Sequence, residues 1–280
     1  MWLPWNYAAI IAAVLAGVGL LTRRRGRKPT GISALTTEAA LVFVLYGLWQ
    51  YAAGISLLQV DGAIGRGRWI MRISHWLPLP GEHRVQGWVL PHSWLTQFCN
   101  GYYAIMHVPA LGIFLVWMFF RHRDRYAPWR NVLAALTGIS LAIQLVPVAP
   151  PRLIPGAGFV DTALLFHQSV YGSLGAGAAD QLSAMPSVHV GWASLIAIAT
   201  FTSTRSRWRW IAVVHGALTW FVVVATANHW WLDGIVEVAL LGIIVLVERA
   251  ARHWLRSLRS SQPSEARTSD ATASAAASSA

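Results

Sequence analysis

Seven apolar runs recur along the chain, and short clusters of arginine separate them. An apolar stretch of about 20 residues spans the ~30 Å hydrocarbon core of a bilayer as a helix. The runs cover Trp5–Leu21, Leu35–Val60, Asn100–Phe120, Val132–Val148, Ser187–Ser203, Trp210–Ala227 and Trp231–Val247. With 55% hydrophobic and only 12% charged residues, the 280-residue chain is too apolar for a soluble domain of its size. The expected fold is all-α: a polytopic membrane helical bundle of about seven transmembrane helices. A net charge of +11 raises the question of nucleic acid, but the basic residues sit between apolar runs, which is a membrane pattern.

The distribution of charge orients the chain. Seventeen of the 22 Lys and Arg fall after the first, third, fifth and seventh runs, and five (Arg66, Arg68, Arg72, Arg84, Arg152) fall on the other side. The positive-inside rule makes the richer side cytoplasmic, with the N-terminus outside and the C-terminus inside. The first run lacks a preceding basic region and reads as an anchor, not a cleaved signal peptide. Between the second and third runs, Asp61–Phe98 carries scattered Arg and Trp broken by Pro78, Pro80 and Pro91, which suits short helices lying in the interface. Three regions follow: N-terminal spans with an interfacial segment (1–98), a membrane core (99–258), and a Ser/Ala/Thr-rich cytoplasmic tail expected to be disordered (259–280). A lone cysteine, Cys99, excludes an intrachain disulfide and a Cys-rich metal site.

Chemistry concentrates at connections assigned to the outer side. In Ser183-Ala184-Met185-Pro186-Ser187-Val188-His189, Pro186 sets up a helix start at which Ser187 and His189 stand beside free N–H groups that attract anions. Equally, Ser187 can serve only as a helix cap while His189 faces lipid headgroups. His229 and Asp233 are four apart, so on a helix they share a face, and the carboxylate can fix the imidazole's tautomer; the alternative is a structural pair joining two helices. Glu237 continues that face, either extending a relay or simply packing. Arg152, after two prolines, offers a guanidinium fork to phosphate or pairs with a headgroup. No Gly-x-Ser-x-Gly elbow, Walker loop, His-Glu-x-x-His motif or glycosidase-like carboxylate pair is present. Together these groups suit a metal-independent, cofactor-free, histidine-based phosphoryl site.

Pro186-Ser187-Val188-His189 and His229-x3-Asp233 resemble the second and third blocks of the type 2 phosphatidic acid phosphatase superfamily. The resemblance spans about Asn100 to Val247 and implies a phosphatidic-acid-phosphatase-type core. It further implies that His229 attacks phosphorus, Asp233 orients it, His189 protonates the leaving oxygen, and Ser187 and Arg152 bind phosphate oxygens. The chain departs from the pattern at Val222-Val223 (for Ser-Arg), Leu145 (for Lys), Leu153 (for Pro) and Val188 (for Gly). Those losses, with Pro150-Pro151-Arg152, Asn100 to His107 and Gly158 to Thr162, are similar to the inositol phosphorylceramide synthase branch. In that light His107 either contacts a headgroup or is a structural histidine, and Asp161 either orients Arg152 or caps a turn. Arg66, Arg68 and Arg72 either supply the missing charge or meet headgroups. His75, His83, His92, His167 and His215 read as interface or packing residues.

The expected function is transfer or hydrolysis on a phospholipid or polyprenyl-phosphate substrate, facing the extracytoplasmic side, with no nucleic-acid partner. The rivals are a catalytically silent relative that binds or moves lipids, and a structural membrane subunit.

Overall fold

The computed structural model describes residues 3–23, 31–55, 62–168 and 181–260. The expected disordered tail lies outside the described residues from 261 onward, as do the basic cluster at 24–28, the end of the second apolar run and most of the glycine-rich loop at 169–180.

Each apolar run is helical over most of its described residues. Helices α1 (Trp5–Thr22) and α2 (Gly31–Ile55) pair with one another, and α2 meets α7 (Arg123–Gln144) through an Arg130–Glu38 ion pair. The segment expected to lie in the interface holds two short helices, α3 (Ala63–Ser74) and α4 (Glu82–Val89). Next come α5 (Ser93–Ile105) and α6 (His107–Arg121), then a one-turn α8 (Thr162–Leu165). The remaining helices are α9 (Val188–Ser203), α10 (Arg209–Ala225) and α11 (Trp231–Ser260).

By length and apolar content, α1 and α2 qualify as membrane spans, and α5 with α6 forms a third if the bent pair is one span. The seven expected spans are thus not matched one for one. At 16 and 17 residues, α9 and α10 stop short of the ~20 that a straight crossing takes. The α5–α6 pair bends by 51°. Pro109 accounts for the bend, because it has no N–H for the Ile105 carbonyl and its ring crowds that carbonyl. The break leaves His107 as the first residue of α6.

Around this frame the usual distribution of polarity is inverted. Ile113, Val116, Phe120, Ile211, Val214, Ile243, Leu246 and Val247 are exposed, whereas Ser140, Gln144, Ser187, Asp233 and Glu237 are buried. An apolar exterior with polar groups facing inward is what a lipid solvent favours. Inside, Phe114, Met118, Leu136, Trp192, Leu195 and Leu241 form one core between α6, α7, α9 and α11. A second core sets α4 and α5 against α9 and α10 through Val85, Val89, Cys99, Val190 and Val222. The third lies under the loops, where Ile70, Val148, Ala149, Ile154, Ala184 and Trp230 converge.

Two glycines permit close helix approach. A Cβ on Gly216 of α10 would lie 3.3 Å from Ala197 of α9, a small-residue contact of the kind that brings helices together in lipid. A Cβ on Gly191 would fall on the Glu237 side chain, with Cγ only 2.7 Å away. Glu237 is fully buried there, and its two carboxylate oxygens accept from the Ser140 hydroxyl at 2.9 Å. Gly191→Ala is therefore expected to lower stability by about 1–3 kcal/mol through overpacking, read as a drop in the thermal unfolding midpoint in detergent; a midpoint equal to the parent's contradicts the packing described.

Candidate active site

Three connections meet at one end of the helices. The first is the 182–187 segment entering α9. Val148 N–H donates to the Leu182 carbonyl at 2.6 Å, and Ala184 N–H donates to the Val148 carbonyl at 3.2 Å, so the segment runs alongside the chain that leaves α7. Gln144 Nε2, in the last turn of α7, donates to the Pro186 carbonyl at 2.9 Å and the Ser183 carbonyl at 3.4 Å. Both bonds hold the backbone on either side of Ala184. Ser187 then caps α9, its Oγ accepting the Val190 N–H at 3.5 Å. The capping role is met, and the hydroxyl proton of this buried serine is left to donate elsewhere.

The second connection is the turn from α10 to α11. Ala227 adopts a left-handed backbone conformation (φ 54°), which is uncommon for a residue with a side chain. That turn folds the chain back, and the Asn228 and His229 N–H groups both donate to the Val223 carbonyl, at 3.1 and 3.0 Å. His229 consequently stands ahead of α11 instead of on it, yet it still meets Asp233. Its Nδ1 lies 2.7 Å from the Ala184 carbonyl and 3.4 Å from Asp233 Oδ2. A carbonyl only accepts, so Nδ1 carries the proton. The expectation that Asp233 fixes the tautomer is refined: Ala184 makes the shorter bond. Asp233 Oδ2 takes the Trp230 N–H at 2.8 Å, while its backbone carbonyl takes the Ser187 N–H at 3.2 Å. The carboxylate thus ties the turn to the start of α11, and its carbonyl ties α11 to α9.

With Nδ1–H committed, His229 Nε2 holds the lone pair. It is buried, and no hydrogen-bond partner reaches it among the described residues. Burial drives this imidazole's pKa down to about 4; the Ala184 bond opposes that shift and the Arg152 guanidinium adds to it. At neutral pH the ring is therefore uncharged and nucleophilic. The His189 ring lies 5.6 Å from it, centroid to centroid.

The third connection carries Arg152. Its backbone N–H donates to the Ala227 carbonyl at 3.1 Å, which fixes it against the His229 turn. The guanidinium donates through Nε to Asn228 Oδ1 and through Nη1 to Asp161 Oδ2, both at 2.9 Å. Asp161 makes both contacts considered from the sequence: it meets Arg152, and its other oxygen accepts the Leu164 N–H at 3.0 Å and caps α8. Thr162 and Asn100 exchange hydrogen bonds of 2.7 and 3.0 Å, which anchors this loop to α5.

His107 joins the cluster from the α5–α6 break. Its Nδ1 donates to the Tyr103 carbonyl at 3.1 Å, its ring lies 4.3 Å from that of His189, and its buried Nε2 meets no partner among the described residues. The Tyr103 ring lies 4.6 Å from that of His189, tilted by 33°. Two of the arginines considered as charge suppliers meet backbone carbonyls. Arg66 Nε donates to the Pro147 carbonyl at 2.6 Å and Arg68 reaches the Pro155 carbonyl at 3.5 Å. Of the residues read as packing histidines, His215 accepts or donates at Tyr102 Oη, 2.6 Å away. Asn228, Gln144 and the Ala184 carbonyl escaped the sequence reading. Asn228 adjoins His229, a position that could have drawn attention to it.

The pattern described as the PAP2 superfamily matches residues 68–247, which include every group named above except Arg66, together with α4 through α10 and the apolar part of α11. The chain belongs to the PAP2 superfamily. No curated protein and no solved structure matches it. Membership points to phosphatase or phosphotransferase chemistry on a phosphorylated substrate and supports an enzyme, and the apolar helices point to a membrane lipid as that substrate. At two positions where the resemblance expects a cation, Val223 is buried with its carbonyl engaged and Leu145 is exposed. Arg152 remains as the guanidinium beside His229.

Removing the Asp161 carboxylate leaves a nearly enclosed guanidinium short of one partner. Asp161→Ala should cost about 1–3 kcal/mol of stability, and Asp161→Asn, which keeps an acceptor, clearly less. Equal thermal midpoints for the two variants would count against a bond that holds Arg152.

Proposed function

We propose that the protein is an integral-membrane lipid phosphotransferase or phosphatase working through a phosphohistidine at His229. The observation that carries this reading is the state of that imidazole: Nδ1–H held on the Ala184 carbonyl, Nε2 bare and buried, with His189 and Arg152 alongside. In the first half-reaction the bond from His229 Nε2 to phosphorus forms as the bond to the leaving oxygen breaks, and His189 gives that oxygen a proton. Arg152 and the Ser187 hydroxyl hold phosphate oxygens, while Asp233 steadies the imidazolium that develops on His229. In the second half-reaction water or a substrate hydroxyl attacks phosphorus, the P–N bond breaks, and the hydroxyl proton passes to His189. Neither half requires a metal ion.

Seven crossings, with the N-terminus outside, the C-terminus in the cytoplasm and the site on the extracytoplasmic face, fit the charge distribution. In this reading α9 and α10 cross with their polar ends in the interface. The donor is a phospholipid or polyprenyl phosphate. The likeness to inositol phosphorylceramide synthases favours transfer over hydrolysis, with His107 Nε2 accepting from a headgroup hydroxyl and Asp161 orienting Arg152. The missing cations at Leu145 and Val223 favour one rival, a silent relative that only binds or moves lipid.

Turnover separates the two. With detergent-solubilised protein and a panel of phospholipids and polyprenyl phosphates, His229→Ala should lower product formation by about 10³-fold or more while elution and helical content stay at the parent's values. Residual activity near the parent's refutes the nucleophile. An inactive parent that still binds lipid supports the silent relative.

A further inference from the structure

The end of the bundle remote from the histidines carries a recess that the chemistry above does not use. Thr202 and Arg249 stand 15 and 16 residues along α9 and α11 from Ser187 and Asp233, or about 23 Å at the helical rise of 1.5 Å per residue. Between them and the start of α7 lies a cleft of about 190 Å³. Its rim holds Arg125, Arg249, Arg252 and Glu248, and its floor holds Trp129 and Val245.

The charges on that rim do not cancel. Arg252 is paired with Glu248 at 2.7 Å on the same face of α11. Arg125 donates to the Thr202 carbonyl, a neutral acceptor, and lies 3.8 Å from the exposed Asp124. No acidic side chain among the described residues comes within ion-pair distance of Arg249, which is exposed. One turn before it on the same helix, Leu246 presents a large apolar side chain to the surroundings. Guanidinium groups above an apolar floor, at the end of helices whose outer faces are apolar, match a molecule with a phosphate at one end and acyl chains at the other. A free phosphate would use the rim and leave the floor bare. A zwitterionic headgroup would bring its own cation against three arginines.

We propose that this cleft binds the phosphate of an anionic phospholipid from the leaflet opposite the histidine cluster, with acyl chains against Leu246. The inference rests on the helices lying in a membrane and is independent of the chemistry assigned to His229.

Native mass spectrometry of the full chain, released from detergent with equal amounts of phosphatidylglycerol and phosphatidylcholine of matched acyl chains, tests it. The parent should retain phosphatidylglycerol preferentially, by about fivefold or more, with the preference falling as ionic strength rises. Arg249→Glu should abolish the preference. Arg207→Glu, the same charge change on an exposed residue of the α9–α10 loop outside the cleft, should leave it intact. Both positions are exposed, and elution profiles verify that both variants fold. Equal retention of the two lipids by the parent overturns the proposal. So does an equal loss in both variants, which would mean a diffuse surface potential. Thermal stabilisation by inorganic phosphate as large as that by phosphatidylglycerol overturns it in favour of a free-anion site.

Discussion

The 2.7 Å bond from His229 Nδ1–H to the Ala184 carbonyl joins two of the three connections on which the site is built. It holds because each partner is fixed independently. The Ala184 carbonyl cannot swing away while Val148 pairs with the flanking backbone and Gln144 holds the carbonyls of Ser183 and Pro186. His229 cannot rotate out while the left-handed turn at Ala227 doubles its backbone onto Val223. A buried imidazole needs a partner for its N–H, and a backbone carbonyl supplies one without adding charge to the interior. The consequence is chemical: the lone pair lies on Nε2, the nitrogen left without a partner.

A second constraint follows from the apolar exterior. Polar groups facing lipid are costly, so those the chain keeps are gathered inward along one path between α7, α9 and α11. Gln144 serves the loop, Ser140 one turn below serves Glu237, and Asp233 one turn above Glu237 serves the His229 turn. Gly191 is the clearance that lets α9 lie against this path. The same helices thus create the apolar outer surface and hold the polar interior in register.

Much of this is legible in the sequence, and what is not has identifiable causes. The apolar runs give the helix positions, because burial in lipid demands hydrophobicity along whole segments. The i, i+4 spacing of His229 and Asp233 gives their contact even though His229 stands outside the helix, since a tight turn preserves roughly the same reach. Pro186-Ser187 gives the cap of α9. Hidden from the sequence is every role played by a backbone carbonyl: Ala184, Val223 and Tyr103 act through an atom that all residues share, so no side-chain pattern announces them. Arg66 shows the converse. Its charge suggests a ligand for phosphate, but the close approach of α3 to the 147–149 segment turns it onto the Pro147 carbonyl. α9 and α10 follow their apolar runs to within two residues at each end, and those runs are themselves shorter than a straight crossing takes.

The measurement that tests the account most directly is the position of a trapped phosphate. Protein incubated with a phosphorus-labelled lipid donor and quenched in alkali should carry an acid-labile label, and peptide mapping with nuclear magnetic resonance should place it on His229 Nε2. Label on Nδ1 of that ring would contradict the tautomer fixed by Ala184. Label on another residue, or none from any donor on folded protein, would contradict His229 as the nucleophile.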